Sequence, residues 1–119
     1  MYSFEKCQHP NCNKTALTLF DADGKPITGE NFCFEHSPDK NFVIENINRY
    51  LQSHQRIIGI NAEGCKIEDC NLSDKRFYGC NFQHCTFANL HGDGLRLRMC
   101  MLDFSVFTDC TFLKGNTQF

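Results

Sequence analysis

The stretch CNFQHCTF, residues 80–87, holds two cysteines and two phenylalanines, and the members of each pair are five positions apart. A five-residue step matches neither the 3.6-residue period of an α-helix nor the two-residue period of a flat strand. The step continues through the second half of the chain, where six cysteines share one phase of it: Cys65, Cys70, Cys80, Cys85, Cys100 and Cys110. We therefore treat the repeat as the primary feature of residues 55–114.

A second series of mostly large apolar residues lies two positions after the first. It runs Ala62, Ile67, Leu72, Phe77, Phe82, Phe87, Gly92, Leu97, Leu102, Phe107 and Phe112. Residues two apart on an extended chain face the same way, so Cys80 and Phe82 point inward together. Cys85 is three positions further on, so the chain must turn between Phe82 and Cys85. One turn every five residues predicts a square coil of twenty residues, with coils stacked about 4.8 Å apart.

The segments CNLSD (70–74), CNFQH (80–84) and ANLHG (88–92) each have a small residue, then Asn, then Leu or Phe, then two variable residues. This pattern resembles the motif of the pentapeptide repeat proteins. The resemblance covers about half of the chain and implies a right-handed quadrilateral β-helix of about three coils. Lys75 departs from the motif, because a small inward residue is expected there. ANLHG fits only if the register slips by three, so we expect a bulge or loop near residues 88–94.

The other three cysteines lie in the first third of the chain with a different spacing. CQHPNC contains Cys7 and Cys12, and FCFEH contains Cys33 and His36. Two close pairs of soft or borderline ligands predict a closed tetrahedral site for structural Zn²⁺. His9 is a rival ligand, and four reduced residues without metal are the alternative. A catalytic zinc is not expected, because four protein ligands leave no open position.

The segments around these pairs predict a β-hairpin and a helix. TALTLF (15–20) and ENFCF (30–34) read as strands, and residues 38–53 read as a helix with Ser37 as N-cap and Pro38 as its first residue. This order is similar to that of a treble-clef zinc finger. The apolar stripe of the helix predicts a lid on the first coil: Val43, Ile47, Tyr50, Leu51 and His54. The expected fold is mainly β, with a zinc-stapled module (1–54) and a β-helix (55–119) packed as one structural unit.

Composition restricts the compartment and the partners. The net charge is −2, so no bulk attraction to nucleic acid or membrane is expected. The start of the chain has no apolar signal region, no apolar run approaches membrane-spanning length, and the cysteine count of nine is odd. These features predict a reducing, cytoplasmic location without a membrane partner.

One basic surface is predicted on the coil. Residues twenty apart stack on one side, which places Arg56, Arg76 and Arg96 in a column and Tyr78 and Arg98 in the next. This surface could bind an acidic partner or a phosphate backbone, or be a solvated face partly neutralised by nearby aspartates.

We expect a non-enzymatic protein-binding or scaffolding module with an unidentified protein partner, because no nucleophile–base pair or phosphate loop is found. The alternative is a nucleic-acid-linked protein. It would either bind nucleic acid directly through the arginines or, as the resemblance implies, mimic DNA and so bind a topoisomerase. Mimicry requires an acidic rod, whereas residues 65–119 hold equal numbers of basic and acidic residues. The repeat is still in phase at Phe112, so either more coils follow in a longer protein or two chains stack through this end as a homodimer.

Overall fold

The computed structural model describes residues 4–29 and 31–112. They form one helix, α1 (Lys40–Ser53), followed by eight short strands. The strands are β1 (Arg56–Ile58), β2 (Lys66–Glu68), β3 (Arg76–Tyr78), β4 (Thr86–Ala88), β5 (His91–Gly92), β6 (Arg96–Arg98), β7 (Val106–Thr108) and β8 (Thr111–Phe112). The prediction of a mainly β chain with one helix is confirmed. No helix in the described part of the chain is long and apolar enough to cross a membrane.

All strand pairing is parallel and joins residues twenty positions apart. The sheets have the orders β1-β3-β6, β2-β4-β7 and β5-β8. In the first sheet Ile57 pairs with Phe77 and Phe77 with Leu97. Isolated parallel bridges continue the same offset, from Asn61 to Asn81 to Met101 and from Asn71 to His91. The pairings therefore form four columns, each with the period that the cysteine pattern predicts. We call the successive repeats of this pairing coils: residues 56–75 are the first coil, 76–95 the second and 96–112 the last described coil.

The turns between strands fall on every fifth residue. Each has a positive φ: Gly59, Gly64, Asp69, Asp74, Gly79, His84, Asn89, Gly94, Met99, Phe104 and Asp109. This left-handed conformation suits glycine, asparagine and aspartate, which supply most of these positions. The turn predicted between Phe82 and Cys85 lies at His84, where φ is 56°.

The two inward series make the core. Cys65, Cys80 and Cys85 are buried beside Phe77 and Phe82. The Cys85 thiol donates to the carbonyl oxygen of Ala62 at 3.1 Å, and the Cys80 thiol to that of Ile57 at 3.5 Å. The small inward position therefore holds a weak donor that reaches the backbone of the preceding coil.

The expected bulge near residues 88–94 is wrong. β5 stays in register and pairs Gly92 with Phe112, while Leu90 and Leu95 are buried in positions that most of the repeat fills with cysteine. A Cβ on Gly92 would lie 2.8 Å from Cδ1 of Phe112. Large and small residues have exchanged places here, so the volume of the core is kept without a change of register.

Helix α1 begins two residues later than predicted. Its N-cap is Asp39, whose carboxylate accepts the Phe42 N–H at 3.1 Å. Ser37 instead donates its hydroxyl to the Cys33 carbonyl oxygen at 2.8 Å, and Pro38 precedes the helix. The helix begins later than predicted because the Ser37 hydroxyl is bonded to the Cys33 carbonyl oxygen. Asp39 is then the first side chain available to cap the helix.

Helix α1 covers the first coil with apolar and polar contacts. It buries Val43, Ile47 and Leu51, which belong to the same apolar cluster as the coil interior. Asn48 donates its side-chain amide to the Lys66 carbonyl oxygen at 2.8 Å and accepts the Glu68 N–H at 2.9 Å. These bonds satisfy backbone groups of β2 that have no preceding strand.

Lys75 also joins the helix to the coil. The side chain is buried, and its ammonium group donates to the carbonyl oxygens of Gln52 and His54 at 3.2 and 2.7 Å. These carbonyl oxygens lie at the C-terminal end of α1, where the helix dipole favours a positive charge. Burial lowers the pKa of Lys75. Lys75, the residue that departs from the motif, therefore lies at the contact between α1 and the first coil.

The prediction of regular hairpin strands at 15–20 and 30–34 is wrong for the described residues of these segments. Within residues 4–29 and 31–39 the pairing consists of isolated antiparallel bridges, Lys6 to Thr15 and Phe20 to Pro26. The two segments do meet, because the Leu17 N–H donates to the Phe32 carbonyl oxygen at 2.9 Å. The segment from Thr15 to Thr18 bonds instead to Asn61 of the first coil. Residue 30 lies outside the described residues.

Candidate metal centre

Two turns present the cysteine pairs to each other. In the first, the Cys12 N–H donates to the His9 carbonyl oxygen at 3.1 Å, and Asn11 takes a positive φ of 62°. In the second, the Ser37 N–H donates to the Phe34 carbonyl oxygen at 3.2 Å. The turns are joined by a bond from the Gln8 N–H to the Asn31 carbonyl oxygen at 3.1 Å.

The structure brings the four predicted ligands together. One sulfur each from Cys7, Cys12 and Cys33 and one ring nitrogen of His36 all lie within 4.8 Å of one another. The Cys12 and Cys33 sulfurs are 3.9 Å apart, and the His36 Nδ1 lies 3.3 Å from the Cys33 sulfur and 3.7 Å from that of Cys7. Around a tetrahedral Zn²⁺ the sulfurs would be about 3.8 Å apart and a sulfur and nitrogen about 3.5 Å apart. The arrangement is therefore compatible with one metal ion.

The thiols differ in how easily they lose a proton. Burial alone would raise the pKa of Cys7, but the backbone N–H groups of Cys33 and His9 and the His36 ring outweigh it and lower that pKa to about 6. Burial raises the pKa of Cys33. One ligand is therefore readily available as the thiolate that a metal requires.

A carboxylate lies near the second ring nitrogen of His36. Its Nε2 lies 3.9 Å from Oε1 of Glu35, whose other oxygen accepts the Lys14 ammonium at 3.2 Å. Lys14 lowers the pKa of Glu35, so the carboxylate stays charged beside the ring. A carboxylate near the second nitrogen favours the tautomer that leaves Nδ1 free for a metal. Sequence reasoning did not identify Lys14 or Glu35, because their roles depend on the folded turn.

His9 is not part of the four-ligand cluster. Its ring stacks flat on His36, with the centroids 3.8 Å apart, and its Nδ1 lies 3.0 Å from the Pro10 carbonyl oxygen. The six cysteines of the coil lie apart from the cluster as well, and all nine cysteines are free of disulfides. The two groups of cysteines therefore have separate surroundings, as their spacing indicates.

A second candidate site lies on the outer side of β1, β3 and β6. We call it the arginine face, and it consists of Arg56, Ile58, Arg76, Tyr78, Arg96 and Arg98, which border a shallow cavity of about 320 Å³. Arg56, Arg76 and Arg96 are register partners across the sheet, as are Ile58, Tyr78 and Arg98. The structure thus brings the predicted binding residues together. Ile58 was missed, because a single outward isoleucine gives no sequence signal.

Comparisons of the chain with protein-family models, with curated proteins and with solved structures each give no match.

Proposed function

We propose that the chain is a non-enzymatic protein-binding module in which a structural Zn²⁺ holds the N-terminal segment over the first coil. The observation that carries this proposal is the cluster of three sulfurs and one imidazole nitrogen at tetrahedral spacing. Three cysteines and one histidine in tetrahedral arrangement are a usual ligand set of structural zinc sites. Four protein ligands complete the coordination shell, which favours a structural over a catalytic role.

We further propose that the four columns of parallel pairing are the sides of one continuous right-handed quadrilateral β-helix of the pentapeptide-repeat type. The twenty-residue offset and the turn at every fifth residue support this assignment. Such a coil presents regular outer faces that suit the binding of another protein. The free thiols support a reducing compartment such as the cytoplasm.

Metal analysis of the purified protein tests the zinc proposal. We expect about one zinc per chain, and X-ray absorption should show three sulfurs at about 2.3 Å and one nitrogen at about 2.0 Å. Cys33→Ser should lose the metal and most of the stability, because the segment has little core of its own. The matched control, Cys110→Ser, changes a half-buried thiol outside the cluster and should keep the zinc. Protein purified without chelators that contains no metal would overturn the proposal.

We also propose that a second copy of the chain covers the last described coil. Phe107, which takes the inward position that Ile67 and Phe87 take in the earlier coils, is 44% exposed there. Light scattering should give the mass of a dimer, and Phe107→Glu should give that of a monomer. A monomeric wild-type protein at several hundred micromolar, on the order of the concentration at which weak self-association appears, would reject the dimer.

A further inference from the structure

The arginine face concentrates positive charge that the rest of the described chain does not neutralise. Arg56, Arg76 and Arg96 stand opposite one another on neighbouring strands, where like charges are destabilising. Their side chains are exposed, and none makes an ion pair among the described residues. An anion seated across the column would relieve this repulsion.

The neighbouring sheet shows that this arrangement does not follow from the fold. In β2-β4-β7 the equivalent outward column is Lys66, Thr86 and Val106, with a single cation. That cation is paired within its own strand, because Lys66 lies 3.1 Å from the Glu68 carboxylate. The same architecture therefore accommodates neutral columns, and the charge of the arginine face is particular to this surface.

Apolar surface lies between the guanidinium groups. Ile58 and Tyr78 are 51% and 46% exposed, and the cavity beside them is bordered by four arginines and no acidic residue. A ligand that fits must therefore offer negative groups together with apolar ones. The column is three strands deep, about 10 Å, so it spans only two or three anionic groups.

We propose that the arginine face binds a short, extended acidic segment of a protein partner, in which single apolar residues separate pairs of carboxylates, so that both kinds of side chain occur on one side of the segment. Carboxylates would accept the guanidinium N–H groups, and an apolar side chain would contact Ile58 and Tyr78. Nucleic acid fits less well, since its affinity depends on many phosphate contacts, whereas this chain has a net charge of −2 and this face has one exposed aromatic ring, Tyr78. The inference rests on the proposed function, for which it names the surface and the chemistry of the partner.

A titration with synthetic probes tests this inference. The probe is a fluorescent peptide of about twelve residues in which pairs of glutamates alternate with single leucines, long enough to cross the face in extended form. The control peptide carries glutamine in place of every glutamate. A labelled oligothymidylate of similar length provides the nucleic-acid arm. Of the three probes, we expect only the glutamate peptide to bind saturably. Its affinity should fall as the salt concentration rises.

Two variants locate the binding. Arg76→Glu with Arg96→Glu should weaken peptide binding by at least about tenfold, because it replaces attraction by repulsion at the centre of the face. Arg49→Glu makes the same change at an exposed arginine of α1 and should leave binding within about twofold. Zinc content and circular dichroism of the same samples report whether each variant is folded.

Several results would overturn the inference. They are equal binding of the glutamine peptide, tighter binding of the oligonucleotide, absence of peptide binding by folded wild-type protein, or an unchanged affinity after the double reversal. The zinc measurement keeps the two proposals apart. Zinc present without peptide binding rejects the acidic-peptide site alone, whereas absence of zinc rejects the structural metal whatever the peptide does.

Discussion

The two ends of the coil stack differ in how they are covered. At the first coil, Ile57, Ala62 and Ile67 are fully buried in one apolar cluster with the buried residues of α1, and side chains of the helix bond to the open strand edge. At the last described coil, Phe107 occupies the same column as Ile67 and Phe87 but is 44% exposed. Equivalent positions of one repeat thus have unequal burial, so the stability of each coil depends on what lies against it as well as on its own sequence.

Truncating the apolar contact at each end should give the largest difference. Ile47→Ala removes a fully buried side chain of α1 and should cost about 3 kcal/mol, through lost burial and a cavity. Phe107→Ala removes a larger side chain that is half in water in the single chain, so at a concentration low enough to keep the protein monomeric it should cost less, about 1 kcal/mol. Urea unfolding of both variants measures the comparison. Equal costs at the two ends would show that the helix does not cover the first coil as described.

Removing the amine of Lys75 should have an intermediate effect. Lys75→Met keeps most of the aliphatic volume but leaves the carbonyl oxygens of Gln52 and His54 without their donor. We expect a loss of about 2 kcal/mol in the free energy of unfolding. Lys66→Met is the matched control on an exposed strand position and should cost less than about 0.5 kcal/mol. A Lys75→Met protein as stable as the wild type would show that the bonds to the helix end contribute little.

The buried thiols should produce a smaller effect that depends on pH. Burial raises the pKa of Cys65 and of Cys85 from 9.0 to about 12. These thiols ionise at a lower pH in the unfolded chain than in the folded one. Their contribution to the free energy of unfolding is therefore complete below pH 9 and is lost as the pH rises toward 12. Cys65→Ala should therefore lose stability less steeply than the wild type between pH 8.5 and 10.5, a window that starts about where free thiols ionise. Parallel curves for the two proteins would contradict the assigned burial of Cys65.

The periodic features of this fold could be predicted from the sequence, because each coil has the same pattern of inward residues and turns. Inward pairs such as Cys80 and Phe82 led to the twenty-residue pairing and to a turn at His84. A further signal went unused: glycine, asparagine or aspartate often stands immediately before the small inward residue, as at Gly64, Asp69 and Gly79. That series marks the left-handed turns directly.

Features that depend on contacts between coils were not accessible. Gly92 looked like a break in register, because the Phe112 ring that fills its place lies twenty residues later. Lys75 looked misplaced, because its partners are carbonyls of the preceding helix. The four metal ligands were found by spacing and donor chemistry, whereas Lys14 comes to lie beside Glu35 only through the fold.

Hydrogen exchange followed by mass spectrometry, with and without a zinc chelator, tests most directly whether a metal-held segment covers the first coil. At a concentration low enough to keep the metal-loaded protein monomeric, amides of β1, β2 and α1 should exchange more slowly than those of β6 and β7, because they lie at the covered end. Chelation should accelerate exchange in residues 4–53 first and then in β1 and β2, which would remove the difference between the ends. Unchanged exchange of residues 4–53 after the metal is removed, or the absence of any metal to remove, would contradict the account.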